Sequence, residues 1–220
     1  MTKSPLATIV NISPNSNNPR TAKIDRITPH CFVGQVSAAR GLEVFLPSSK
    51  QASTNYVVGY DGSCGCGVYE ENRSWCSSSG ANDHRAITIE VASETADPYK
   101  ITEAAEAKLL DLMTDICKRY GKTKLVWISD KDKALAYKPA DNEMQLTVHR
   151  WFANKSCPGD YMYNRFSYYA EEVTKRLSGN AKQTLYCVQM GAFSVKSNAE
   201  KLAAELKAKG YDTYITTKEV

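Results

Sequence analysis

Residues 86–92 read AITIEVA, and their alternation sets the kind of fold this chain builds. Ile87, Ile89 and Val91 fall on one side of an extended chain, Thr88 and Glu90 on the other. A strand of this composition needs partners and a cover for its apolar side. The next stretch supplies a cover. Thr102 caps a predicted helix running to about Tyr120, in which Ala105, Leu109, Leu112, Ile116 and Tyr120 recur at about 3.6 residues per turn, and Gly121 ends it. KLVWIS (124–129) then reads as a strand, and a last helix covers roughly 160–177, with Met162, Phe166, Ala170, Val173 and Leu177 inward.

Upstream, LATIVNI (6–12) reads as a strand and PNSNNPR as a loop. IDRITPH (24–30) is a strand with Arg26, Thr28 and His30 on one face. NYVVGY (55–60), the Asp61–Gly62 turn and SCGCGVYE (63–70) form a predicted hairpin. Glu71 to Arg85 is polar and serine-rich, hence a loop. Strands mixed with long helices imply an α/β fold, a mixed central β-sheet flanked by helices.

The chain divides by composition. Residues 1–177 form the main domain, SGNAKQ (178–183) a linker, and 184–220 a small βαβ module. There TLYCVQM and YDTYITT read as strands. Ser197 with Glu200 forms a capping box, Ala199, Leu202, Ala203 and Leu206 make the helical stripe, and Gly210 stops it. A unit this small buries too little surface to fold readily by itself. Either it leans on a partner or the chain stops before the module is complete.

The chain has 220 residues, 42% hydrophobic and 24% charged, the composition of a globular protein. Its apolar runs are too short to insert in a membrane, and a net charge of +4 without basic runs argues against nucleic acid as a partner. MTKSPLATIVNISPNSNN lacks the apolar core of a signal peptide, so synthesis in a cytoplasm is expected. Seven cysteines cannot all pair within one chain, and free thiols or metal ligands are the better default. Cys64 and Cys66, on one face of a strand with Cys76 beyond, could suggest a second metal or a disulfide, but small apolar packing is the preferred reading, and Cys117 and Cys187 read as packing positions.

TVHRWFANKSCPGD (147–160) places His149 and Cys157 around a short connection containing Lys155. Two ligands of one metal, a nucleophile with its base, or no site at all are open readings of the pair. A catalytic zinc takes three protein ligands and leaves one position for water. His30 and His84 are the remaining histidines. His30 is preferred because it ends a strand, whereas His84 lies in the polar loop. Glu90, a carboxylate on an otherwise apolar or Thr-bearing strand, is the candidate base, and Lys155 the candidate stabiliser of an oxyanion. Trp75, Ser77 and Asn82, in the loop before AITIEVA, are candidates to line a substrate groove.

ITPHC, ITIEV and HRWFANKSCPGD, in that order, resemble the zinc N-acetylmuramoyl-L-alanine amidases of the type 2 family, which share a fold with peptidoglycan recognition proteins. NYVVGYDG, RSWCSSSG and NDHRAITIEVAS are most similar to endolysins of clostridial phages. The resemblance covers roughly residues 6–177. It implies zinc (Zn2+) held by His30, His149 and Cys157, with Glu90 and Lys155 in catalysis. It also implies hydrolysis of the amide between N-acetylmuramic acid and L-alanine of bacterial peptidoglycan. Some relatives carry a catalytic tyrosine near the hairpin. Thr54 stands there, a candidate substrate contact, and Tyr56 is out of register. CVQMGAFSVKSNAEKLAAELKAKGYDTYI resembles the first half of a SPOR domain, a cell-wall-binding module. A phage or prophage endolysin, held in the host cytoplasm until a holin releases it, fits these features. A non-catalytic peptidoglycan-recognition module is the alternative, and a zinc peptidase cutting elsewhere in the stem peptide a second one.

Overall fold

The computed structural model describes residues 1–179, 188–211 and 213–217. The first elements are β1 (Ile9–Val10), β2 (Ser16–Asn17), β3 (Arg26–Cys31), α1 (Ala38–Glu43), β4 (Tyr56–Val58), β5 (Cys64–Cys66), β6 (Arg73–Ser74) and α2 (Gly80–Asp83). They are followed by β7 (Ala86–Val91), α3 (Glu103–Arg119), β8 (Lys124–Val126), α4 (Lys131–Ala136), β9 (Glu143–Leu146), α5 (Asp160–Tyr163), α6 (Phe166–Leu177) and α7 (Lys196–Ala208). The chain forms two compact units, Met1–Ala181 and Lys182–Val220.

In the first unit one mixed sheet has the order β1-β5-β4-β7-β3-β9-β8. Parallel pairing joins β4, β7, β3, β9 and β8 in succession. The hairpin partner β5 runs opposite to β4, and β1 follows β5. AITIEVA thus lies near the middle of the sheet, as its alternation requires. Ile87, Ile89 and Val91 are buried with Ile27, Tyr56, Val58, Leu109, Leu112, Met113, Ile116, Phe166 and Val173 in the main core. Each fully buried aliphatic side chain of this kind contributes about 1.5–3 kcal/mol. Helices α3 and α6 pack together over this face. Thr102 caps α3 by accepting from the Ala105 N–H, and Gly121 takes a positive φ just past its end. On β4 the alternate residue, Val57, packs instead with Ala38, Leu42 and Phe45, so α1 covers the opposite face.

The remainder of that opposite face is polar and still buried. Thr28 and Thr88 have no exposed surface. The segment expected to be a loop, 71–85, covers them. It contains β6, which pairs with β2 in a separate two-stranded ladder, and α2, capped by Ser79. PNSNNPR is therefore not simply a loop either. Hydrogen bonds to buried threonines order this segment, and no apolar periodicity announces them.

The expected helix over 160–177 is two helices. Its apolar positions keep one rhythm across the break, but Arg165 pairs with Glu106 of α3 at 2.6 and 2.8 Å, a tertiary contact with no local signature. Residues 24–25 lie outside β3, and KLVWIS contributes only Lys124–Val126 as strand. In the second unit α7 begins after Val195 without a side-chain cap. Ser197 thus lies inside the first turn, where it cannot act as N-cap, and Glu200 pairs with Lys196 at 3.4 Å. Val188–Met190, Tyr211 and residues 213–217 are not in strands. A strand exists only as part of a ladder; here Tyr211 donates its N–H to the Leu206 carbonyl at 3.1 Å and Thr213 its hydroxyl to that of Ala203 at 3.3 Å instead. The predicted strand positions 184–187, with Cys187, lie outside the described residues. Among the described residues, no helix is long and apolar enough to cross a membrane.

Candidate active site

Ligands of open α/β sheets bind beyond the carboxyl ends of parallel strands, and here those ends gather the polar side chains. His30 is the penultimate residue of β3 and Glu90 the penultimate residue of β7, and the two are register partners. His149 follows β9 by a short extended step through Thr147 and Val148. Because β3 lies between β7 and β9, the three side chains meet although they are far apart in sequence. Cys157 joins from the loop after His149, its Sγ 3.3 Å from Nδ1 of His30, 127 positions away.

Candidate ligand atoms of His30, His149 and Cys157 lie within 4.8 Å of one another, as do those of His30, Cys76 and Glu90. The two imidazole rings are 5.1 Å apart at their centroids. His30 is buried, and burial, then the neighbouring His149, lowers its pKa to about 3. Burial also lowers that of His149, helped by Lys155. Both rings are thus held neutral, the form that binds a metal. A hydrogen bond with Cys31, then burial and Glu90, raise the Cys157 thiol well above its usual range. Burial, followed by Cys31, pushes Glu90 up to about 8. Oε1 of Glu90 meets only the Cys76 thiol at 3.7 Å, and Oε2 has no partner.

Comparison with known proteins identifies the framework. A family profile described as N-acetylmuramoyl-L-alanine amidase matches residues 17–160. The chain belongs to this amidase family. Its activity is that of a peptidoglycan amidase, which cuts the amide joining N-acetylmuramic acid to L-alanine. A second profile, the SPOR domain, matches residues 182–220 and associates the amidase with the cell wall. Three solved structures share the fold. PlyL is 16% identical, with a TM-score of 0.55 over 75% of this chain and 95% of that one. The catalytic domain of XlyA is 14% identical, TM-score 0.54, over 75% and 97%. The Ph2119 endolysin from Thermus scotoductus MAT2119 bacteriophage Ph2119 is 15% identical, TM-score 0.50, over 71% and 89%. No curated protein sequence matches the chain significantly.

The amidase places the remaining candidates unevenly. Lys155 is exposed on the loop between His149 and Cys157. Trp75 is half-buried at the edge of 71–85, its indole donating to Asn17 at 2.7 Å. Thr54 is fully buried, and its hydroxyl bonds the carbonyls of Tyr56 and Thr88 at 3.0 and 3.1 Å, so in this conformation it meets no substrate. Tyr56 points into the main core, with its hydroxyl on Glu70. Asn82 does not line a groove. It is buried, accepts from Arg26 and Thr147, and donates to Thr28 and Ser77. Thr28 and Thr147 also bond each other at 2.7 Å. Each stands two residues before a histidine of the cluster, so Asn82 ties together the strand ends that carry His30 and His149.

His84 bonds the Thr21 N–H at 3.0 Å and is absent from both clusters. Cys64, Cys66 and Cys117 are free and packed in the core. Ser78 was not singled out by sequence, and Cys76 only together with Cys64 and Cys66, not as a neighbour of this site. Ser78 Oγ lies 2.9 Å from Nε2 of His149, and Ser77 Oγ lies 3.3 Å from Nε2 of His30. The signal for them was weak, a run of serines in a polar segment.

Proposed function

We propose that the amidase depends on zinc, with His30, His149 and Cys157 as its ligands, Glu90 as general base and Lys155 as the charge that steadies the oxyanion. One observation carries this reading: two imidazoles and a thiol converge within 4.8 Å beside a carboxylate with an unpartnered buried oxygen. Two nitrogens and one sulfur are a donor set suited to zinc with a position left open for chemistry. A dication held there would favour the thiolate and carboxylate forms of Cys157 and Glu90 and keep both imidazoles unprotonated.

Zinc held there supplies Lewis acidity for the scissile carbonyl. Glu90 does the proton work: its carboxylate takes a proton from the attacking water and returns it to the leaving nitrogen of L-alanine. Lys155, exposed on its loop, is free to swing toward the developing negative charge. Trp75 is a candidate contact for the substrate at the rim of the site.

Residues 1–177 are the proposed catalytic domain, 178–183 a linker and 184–220 a SPOR-like cell-wall-binding module. Val188, Met190, Phe193, Tyr211 and Ile215 are exposed there, which supports self-association, and a mass that stays monomeric at high concentration would count against it. The setting that fits best is a phage or prophage endolysin acting on the bacterial wall after release through a holin.

The test is a digest of purified peptidoglycan followed by mass spectrometry. New L-alanine amino termini, lost with a chelator and restored by zinc, are the expected result. Cuts within the glycan or further along the stem peptide would overturn the assigned bond. Activity that survives complete metal removal would overturn the zinc reading.

A further inference from the structure

The segment Cys76–Ser77–Ser78 touches the site three times in succession. Cys76 Sγ reaches Oε1 of Glu90 at 3.7 Å, Ser77 Oγ reaches Nε2 of His30 at 3.3 Å, and Ser78 Oγ reaches Nε2 of His149 at 2.9 Å. An extended chain cannot do this, because neighbouring side chains project to opposite sides. Ser78 escapes the alternation by adopting a left-handed backbone, φ 56, uncommon for a residue other than glycine. Such departures persist where the surrounding structure enforces them. Here Asp83 Oδ2 accepts the N–H groups of both Cys76 and Ser77 at 3.0 Å. Asn82 donates to Ser77 Oγ at 3.3 Å. Helix α2 thus pins the segment against the strand ends it also ties together.

The hydrogen bonds carry chemical information. Sγ of Cys157 lies against Nδ1 of His30, so a metal shared by the two takes that nitrogen, and the proton of the neutral ring sits on Nε2. Ser77 is then its acceptor. The same arrangement at His149 gives Nε2 to Ser78 and leaves Nδ1 for the metal. Metal-bound histidines generally donate their second nitrogen to a fixed partner, which sets tautomer and ring orientation.

We propose that Cys76, Ser77 and Ser78 are positioning residues for three groups of the site: Ser77 and Ser78 hold His30 and His149 as Nδ1 donors, and Cys76 aims Glu90. The proposal rests on the zinc reading above. It assigns a role to the run of serines, and it explains why a polar segment without apolar periodicity is held so firmly.

The test compares zinc affinity, by chelator competition on the full chain, for wild type, Ser77→Ala and Ser78→Gly. Glycine at 78 relaxes the left-handed backbone while removing the hydroxyl, so backbone strain cannot account for a loss. Each serine variant is expected to bind zinc about 10–100-fold more weakly. Imidazole nitrogen NMR of the metal-free chain is expected to show Nε2-protonated rings in wild type and mixed tautomers in the variants. Cys76→Ala is expected to keep zinc affinity and to lower kcat at constant KM. Serine variants that bind zinc within about twofold of wild type would overturn the proposal. Wild type that binds no zinc would overturn the reading beneath it as well. If Ser77→Ala does not fold, the exposed Ser78 position decides alone.

Discussion

Two glutamates, the buried Glu70 and the half-buried Glu90, follow similar sequence, CGVYE and ITIE, and meet opposite fates. Glu70 has no exposed side-chain surface and no unmet oxygen. Arg119 grips it through two nitrogens, each at 2.6 Å, and the hydroxyls of Tyr56 and Tyr120 complete the shell. Glu90 has one thiol and an empty oxygen. A saturated carboxylate ties β4, α3 and the turn after β5 into one body. An unsaturated one raises the energy of its own ionised form and leaves an acceptor ready for a proton or a cation. Stability and chemistry are thus assigned to different faces of one sheet.

The sharpest way to break this comparison is to neutralise each glutamate. Glu90→Gln is expected to lower turnover about 10²–10⁴-fold while zinc remains bound, as read by release of L-alanine termini and by metal content. Retention of most of the activity would remove Glu90 from the base role. Glu70→Gln is expected to leave turnover per folded molecule unchanged. It should cost about 3–5 kcal/mol in denaturant unfolding, because Arg119 loses its buried partner. A third measurement uses pH. The Glu90 carboxyl rises from its ordinary 4.5 to about 8, while the lowered pKa values of His30 and His149 act in the opposite sense below their ordinary 6.5. Between about 6.5 and 8 the folded metal-free chain keeps the Glu90 proton that the unfolded chain has lost, so its stability falls as pH climbs, at up to about 1.4 kcal/mol per unit, and levels off above about 8. Glu90→Gln should erase this slope, and an unchanged slope would show that Glu90 does not cause it. The smallest expected effect is that of Lys155→Met, about a tenfold loss in kcat, less than a buried donor would give because Lys155 is exposed. No loss at all would mean that the loop lysine is only solvated.

Much of the sheet was legible beforehand, for a local reason. The alternation in AITIEVA and the helical stripe from Ala105 to Ile116 are written within a few residues of each other, and burial follows periodicity. Strand β9, EMQL, was missed because a buried Gln145, bonded to the Ala134 carbonyl at 2.7 Å, does not look apolar. Thr54 and Asn82 were misplaced for the converse reason. Polar residues in a polar segment look exposed, and only the packing of 71–85 onto Thr28 and Thr88 buries them. His30, His149 and Cys157 were chosen with the help of a family resemblance, since no spacing along the chain joins positions 30 and 149.

By itself the sequence determined the local elements of the main domain and the residue types able to bind a metal, because these depend on short-range periodicity and side-chain chemistry. Tertiary structure alone decided that β3 lies between β7 and β9, that one oxygen of Glu90 is left unpartnered while both of Glu70 are met, and that three consecutive residues face one site. The physical reason is common to all three. Burial and partnering are properties of the strands and loops that close over a residue, and those come from distant parts of the chain.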